Sequence, residues 1–212
     1  FVTETPDKPS KGWESNHYRT TSWVYLKDKT TGRKFYCFNT HLDHKSRLAK
    51  ENGVLLNVEM MKSIAGKKAP VFICGDMNIY RENKGGVLLD PFYEYMQSAD
   101  ETALTSYRVP TFNGYNPDMS VRRRIDYIFY RNAQALEYKV IDSPDYGVEY
   151  ISDHYPIAAL FELTGSADPD APQAPGNYGD LTEENFPCDD YNEPPQTGAG
   201  YEDMTEEDYL LQ

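Results

Sequence analysis

Residues 70–78 read PVFICGDMN. Pro70 opens the segment, Val71 to Cys74 form a short continuous apolar run, and a Gly-Asp-x-Asn quartet closes it. An apolar run this short, without polar alternation, is expected of a central strand covered on both faces. Polar groups that follow such a strand directly sit at its end, where a rigid scaffold can hold them for chemistry. Taken alone the quartet also reads as a turn, because Asp and Asn satisfy free backbone groups in turns.

Upstream, Thr21 to Leu26 (TSWVYL) and Lys34 to Asn39 (KFYCFN) are rich in aromatic and β-branched residues. They are expected to form a hairpin around the turn at Lys27 to Gly32. From Ser46 to Ala65 the spacing of Val54, Leu55, Val58, Met61 and Ile64 predicts a helix with one apolar stripe, stopped by Gly66. Downstream, Val87 to Gln97 is expected to be a short helix broken by Pro91, and 98–118 to be loop, marked by Asn113, Gly114, Asn116 and Pro117. Ile125 to Tyr130, Leu136 to Val140 and Ile157 to Leu163 read as three further strands. Cys37, Cys74 and Cys188 are too few and too scattered for a disulfide framework or a zinc site. Cys37 and Cys74 are expected to be buried free thiols.

The chain has 212 residues and a formal net charge of −13. Thirteen acidic residues and no Lys or Arg lie between Gly165 and Gln212, so residues 1–164 are neutral and the tail carries the whole excess. Residues 1–164 are therefore expected to be the folded body. Residues 165–212, acidic and proline-rich with isolated Tyr178, Tyr191, Tyr201 and Tyr209, are expected to be a disordered tail. A neutral body disfavours unspecific coating of nucleic acid, which needs a basic face. No stretch approaches the ~20 apolar residues of a membrane-spanning helix. The chain begins at Phe1 within a plausible strand, with no signal segment, so the compartment is open: secreted or periplasmic placement is compatible with the sequence.

Four segments place polar residues at strand ends: Asn39-Thr40-His41-Leu42, Gly75-Asp76-Met77-Asn78, Arg124-Ile125-Asp126-Tyr127 and Ser152-Asp153-His154-Tyr155-Pro156. Singly, each has an ordinary explanation as a turn, a satisfied histidine or a surface ion pair. Together they supply three carboxylates, two histidines and a carboxamide. Hard oxygen donors such as Asp76, Asn78 and Asp153 suit Mg²⁺ or Mn²⁺. Histidines beside such a metal suit proton transfer and the stabilisation of developing negative charge. Asp126 is placed to accept from one ring nitrogen of a histidine and set its tautomer. The combination points to metal-assisted hydrolysis of a phosphate ester.

NTHLDH at 39–44, GDMN at 75–78, RIDYIF at 124–129 and SDHYPI at 152–157 resemble, in order and spacing, the endonuclease/exonuclease/phosphatase (DNase I-like) superfamily. ETPDKPSKGW at 4–13 and TFNGY at 111–115 are similar to a bacterial branch of it. The resemblance covers about residues 1–163. It implies a four-layer α/β sandwich of two mixed sheets with helices outside. It also implies in-line attack of water on phosphorus, with a divalent cation, Mg²⁺ or Mn²⁺, as Lewis acid. Asp76 and Asn78 match the pair that contacts metal and scissile phosphate, and Asp153 matches a metal ligand. His154, itself also a candidate ligand, matches the general base, with Asp126 as its orienting carboxylate. His41 matches the histidine that stabilises phosphoryl oxygens, and Asn39 a supporting residue at a strand end. Arg19, in YRTTSW, reads equally as a bidentate phosphate donor and as an exposed arginine at a strand start.

The family's N-terminal Asn strand and principal Glu ligand have no match here. The chain is therefore expected to contribute mainly the second half of the fold, to bind Mg²⁺ weakly and to turn over slowly. The expected substrate is a phosphate ester: a nucleic acid, a lipid head group or a small phosphodiester. The Trp-Cys-Asp-Arg run of inositol-polyphosphate phosphatases is replaced by RRRIDYIFY, which lowers inositol phosphates. Arg122, Arg123 and Arg124 read either as a phosphate grip or as a solvated strand entry. The chain is expected to be a monomer. The rival reading is a non-catalytic half-domain that presents its acidic, Tyr-bearing tail to a protein partner.

Overall fold

The computed structural model describes residues 10–142 and 147–164; the expected strand at Phe1 and the acidic tail lie outside them. Strand β1 (Thr21–Lys27) and strand β2 (Lys34–Thr40) pair antiparallel, as the hairpin reading requires. The Asp28 carboxylate closes their turn by accepting from the Thr30 N–H and the Thr31 hydroxyl. Helix α1 (Arg47–Ala65) follows, its Ser46 hydroxyl accepting from the Ala49 N–H at 3.1 Å, and Gly66 ends it at φ +64°. The cap satisfies one of the N–H groups that a helix start leaves without an intrahelical partner.

The helix returns the chain so that β3 (Val71–Asp76) lies parallel to β2. A short 3₁₀ helix at Lys84–Leu89 leads into α2 (Asp90–Tyr95), β4 (Gln97–Ser98), α3 (Ala99–Thr102) and β5 (Thr105–Tyr107). Strands β6 (Asp126–Arg131), β7 (Ala133–Val140) and β8 (Ile157–Leu163) complete the described chain. The first sheet has the order β1-β2-β3-β6-β4 and the second β5-β7-β8. This is the mixed α/β architecture that the sequence leads one to expect.

Two cores flank the first sheet. On one face Tyr36, Phe38, Val71, Ile73 and Phe129 pack against α1 and α2 through Val54, Met61 and Phe92. On the other, Phe72 and Tyr130 pack against Tyr138, Val140 and Phe161 of the second sheet. The pleat sends alternate side chains to opposite faces, so the apolar run at 71–73 feeds both cores. Val71 and Ile73 are fully buried and Phe72 nearly so. Each such side chain contributes about 1.5–3 kcal/mol by leaving water.

Several expectations are corrected. Leu55 is 48% exposed, and Leu56 takes the inward position beside Val54 and Val58. Pro91 starts α2 rather than breaking a helix, because a first-turn proline lacks only an N–H with no intrahelical partner. The 98–118 stretch contains α3 and β5, elements too short to show a period. Cys37 and Cys74 are free but half-buried rather than buried. Burial still pushes the Cys37 thiol up to about 11.

Candidate active site

The register of β3 on β6 sets Gly75 opposite Tyr127 and Asp76 opposite Asp126. Two carboxylates thus meet at the end of the ladder. Gly75 is at φ +137°, and a Cβ there would stand 1.8 Å from the Thr40 carbonyl oxygen. A glycine is therefore required where β2 and β3 end side by side. The close approach lets the Leu42 N–H donate to the Asp76 carbonyl at 2.9 Å, which swings His41 over Asp76.

Asp76 is the centre of the site. Its Oδ1 accepts the Asn78 N–H at 2.7 Å, and its Oδ2 lies 3.3 Å from His41 Nε2 and 3.9 Å from His154 Nε2. Asn78 adopts φ +50°, and its Nδ2 donates to the Leu42 carbonyl at 2.9 Å, tying the second motif to the first. His154 Nδ1 and Asp126 Oδ2 are 2.8 Å apart. An ionised carboxylate only accepts, so Nδ1 carries the proton and Nε2 is turned toward Asp76.

The electrostatics follow from this crowding. Burial, then the Asp126 charge, pushes the Asp76 carboxyl up to about 7. Partial burial, then the positive charges of Arg19 and His154, pushes His41 down to about 4, so it is neutral at pH 7. For His154 burial pulls downward, but the hydrogen bond to Asp126 and the Asp126, Asp76 and Asp153 charges outweigh it and the pKa rises. Asp76, Asp126 and His154 each offer a ligand atom, all within 4.8 Å of one another. Two opposed carboxylates, one of them reluctant to ionise, fit a hard divalent cation, whose charge would offset them.

The other expected residues lie around this group. Asp153 is outside the three-residue cluster: its Oδ1 accepts from the Ser152 hydroxyl at 3.2 Å, and its charge acts on His154. Asn39 is exposed and donates to the Cys74 carbonyl at 3.4 Å, bracing the strand ends behind the site. Arg19 is part-buried, 3.4 Å from His44 Nδ1, and its charge acts on Asp43 and Asp76. Arg124 matches neither reading of the arginine run. Its side chain is largely buried, paired with Asp100 and with Glu82 at 2.8 Å, and lies over the Tyr127 ring.

Two residues of the surrounding frame were missed. Asp43, 1% exposed, accepts four backbone N–H groups, from Asn16, His17, Lys45 and Ser46. Lys50, 3% exposed, reaches 3.4 Å from both the His44 and Asn78 carbonyl oxygens, and burial pushes it down to about 8. The sequence did carry a signal for Lys50. It falls four residues before Val54 and eight before Val58, on the buried stripe of α1.

The model of the Endonuclease/Exonuclease/phosphatase family matches residues 13–154. An endonuclease/exonuclease/phosphatase family protein of Bacteroides thetaiotaomicron superposes with a TM-score of 0.65 at 30% identity, over 76% of this chain and 62% of its own. A mannosyl-6-phosphatase from the same species superposes with a TM-score of 0.65 at 29% identity, over 73% and 61%. A Bacteroides vulgatus endonuclease/exonuclease/phosphatase gives 0.64 at 27%, over 73% and 59%. This chain therefore spans about six-tenths of the length of these structures. No curated protein matches it.

Proposed function

The chain belongs to the endonuclease/exonuclease/phosphatase family, and on that premise we propose that its site hydrolyses a phosphate ester by in-line attack of water on phosphorus. The observation that carries this reading is the 2.8 Å contact of His154 Nδ1 with Asp126, which aims Nε2 at the region beside Asp76. A divalent cation held at the cluster centred on Asp76 would supply Lewis-acid stabilisation of charge on the phosphoryl oxygens. His154 takes the proton of the attacking water at Nε2, and Asp126 stabilises the imidazolium that results. His41, neutral and 3.3 Å from Asp76 Oδ2, assists at the phosphoryl oxygens or the leaving group. Arg19 is a candidate donor to the substrate phosphate.

For substrate class we favour a small phosphate ester over duplex nucleic acid. The body, with as many acidic as basic residues, has no net positive charge to drive counterion displacement from a duplex. The similarity to a mannosyl-6-phosphatase supports the same direction. The test is hydrolysis of p-nitrophenyl phosphate, bis-p-nitrophenyl phosphate, mannose 6-phosphate and an oligonucleotide, with Mg²⁺ or Mn²⁺ against EDTA. Slow metal-dependent turnover that vanishes in Asp76→Ala and His154→Ala is expected. Absence of metal-dependent hydrolysis on all four, or activity that survives both substitutions, would overturn the proposal.

A further inference from the structure

Residues 111–114, Thr-Phe-Asn-Gly, run between the segments that carry Asp126 and His154. Their side chains hold no acid or base, yet Thr111 and Asn113 are both fully buried polar residues. A buried polar group needs its partners, so their hydrogen bonds say what the segment is for.

On one side lies the Asp126 segment. The Thr111 hydroxyl oxygen accepts from two consecutive N–H groups, those of Ile125 and Asp126, each at 3.2 Å. Strand β4 is two residues long and pairs with β6 only at Phe129 and Tyr130, so it does not reach this end. The hydroxyl takes the place of a ladder partner there. The Phe112 N–H also donates to the Arg123 carbonyl at 2.8 Å, and Arg123 returns a bond at 3.3 Å.

On the other side lies the His154 segment. The Thr111 carbonyl accepts the Tyr155 N–H at 2.7 Å. The Asn113 and Gly114 N–H groups both donate to the Asp153 carbonyl, at 2.8 and 3.1 Å. Asn113 Nδ2 donates to the Ser152 carbonyl at 3.1 Å, while its Oδ1 accepts the Tyr115 N–H at 2.8 Å. The Phe112 ring meets the His154 imidazole edge-on, with centroids 5.1 Å apart.

We propose that Thr111 and Asn113 are positioning residues: with Phe112 they clamp the Asp126 and Ser152–Tyr155 segments at the separation that lets His154 Nδ1 bond to Asp126. The contact is between residues 28 apart in sequence, and no ladder joins their two segments directly. Phe112 is the backbone bridge common to both, pairing with Arg123 and with His154. Thr111 also touches both sides, through its hydroxyl and its carbonyl. A catalytic hydrogen bond loses value steeply with small misplacement, and the clamp is what sets this one. The catalytic consequence rests on the hydrolytic reading above; the positioning itself does not.

The test uses Thr111→Val, which keeps the shape and removes the acceptor, and Thr111→Ser, which restores it. The readouts are kcat and KM on a hydrolysed ester, and the downfield proton signal of the His154 Nδ1–H, identified by its loss in His154→Gln. For Thr111→Val we expect KM within about twofold of wild type, kcat lower by about tenfold or more, and a broadened or lost downfield signal. Thr111→Ser should recover both. If Thr111→Val does not fold, Asn113→Ala is read in the same way. A folded Thr111→Val or Asn113→Ala that keeps both kcat and the signal overturns the clamp. So does a wild-type spectrum without the signal. A wild type that shows the signal but hydrolyses no ester sinks the proposed function instead, and the signal alone then decides the clamp.

Discussion

Asp76 and Asp126 stand directly opposite one another across the β3–β6 ladder, two acids where a sheet prefers unlike partners. Their repulsion is relieved on one side by His154, which bonds to Asp126, and on the other by a proton or a cation at Asp76. Much of the expected behaviour of the site follows from that opposition.

A divalent cation should stabilise the fold, since it would bind the native arrangement of the acids and not the unfolded chain. Adding millimolar Mg²⁺ or Mn²⁺ should raise the thermal midpoint. Asp76→Asn should abolish that response and, by removing a like-charge pair, leave the metal-free protein as stable or more stable by up to about 1 kcal/mol. Differential scanning fluorimetry with and without EDTA decides this. An unchanged metal response in the variant would remove Asp76 from the ligand set.

Asp126→Asn should lower kcat by about 10²–10⁴ while binding persists, because His154 loses the partner that fixes its tautomer. The same pair contributes to stability with a definite sign. His154 has a raised pKa in the fold, so its contribution is complete below the unfolded value near 6.5 and is lost as pH rises through the folded value. Urea unfolding across pH 6 to 9 should show that decline in wild type and a weaker one in Asp126→Asn.

Lys50 should act in the opposite direction at alkaline pH. Burial holds its folded pKa at about 8, below the ordinary lysine value of 10.5, so between those values the unfolded chain binds the proton more tightly. Stability from this group therefore rises with pH across that window, by up to about 3 kcal/mol. Lys50→Met should flatten the rise. A variant with an unchanged alkaline slope would show that the ammonium is solvated in the native protein.

Gly75→Ala should be among the most damaging single substitutions. Its Cβ would overlap the Thr40 carbonyl oxygen, and φ +137° is foreign to an L side chain. A loss of about 4 kcal/mol or more, or failure to fold, is expected. Expression level and denaturant midpoint report it. A folded variant with a near-native midpoint would mean that β2 and β3 separate easily at the site.

Much of the fold could be read from local pattern. The hairpin, the capped helix α1 and the central strand β3 each carry their signals within a few residues: alternating or apolar runs, Ser46 as cap, Gly66 as stop. Where the signal was shared between neighbours, as with Leu55 and Leu56, the reading slipped by one position. Pro91 and the 98–118 segment were misread because α2, α3 and β5 are six residues or shorter and show no period.

The site divides in the same way. The sequence by itself determined which groups stand at strand ends: His41, Asp76, Asn78, Asp126 and His154, with Asp153 and Asn39 beside them. Tertiary structure decided what those groups do to one another. Sheet register sets Asp76 against Asp126, and the 111–114 segment brings His154 onto Asp126. Burial in the body, rather than arginine content, decided that Arg124 neutralises Asp100 instead of meeting a phosphate. Periodicity and capping act over a few residues and are written in the chain. Register, desolvation and charge pairing arise between distant segments, and these exist only once the sheet has formed.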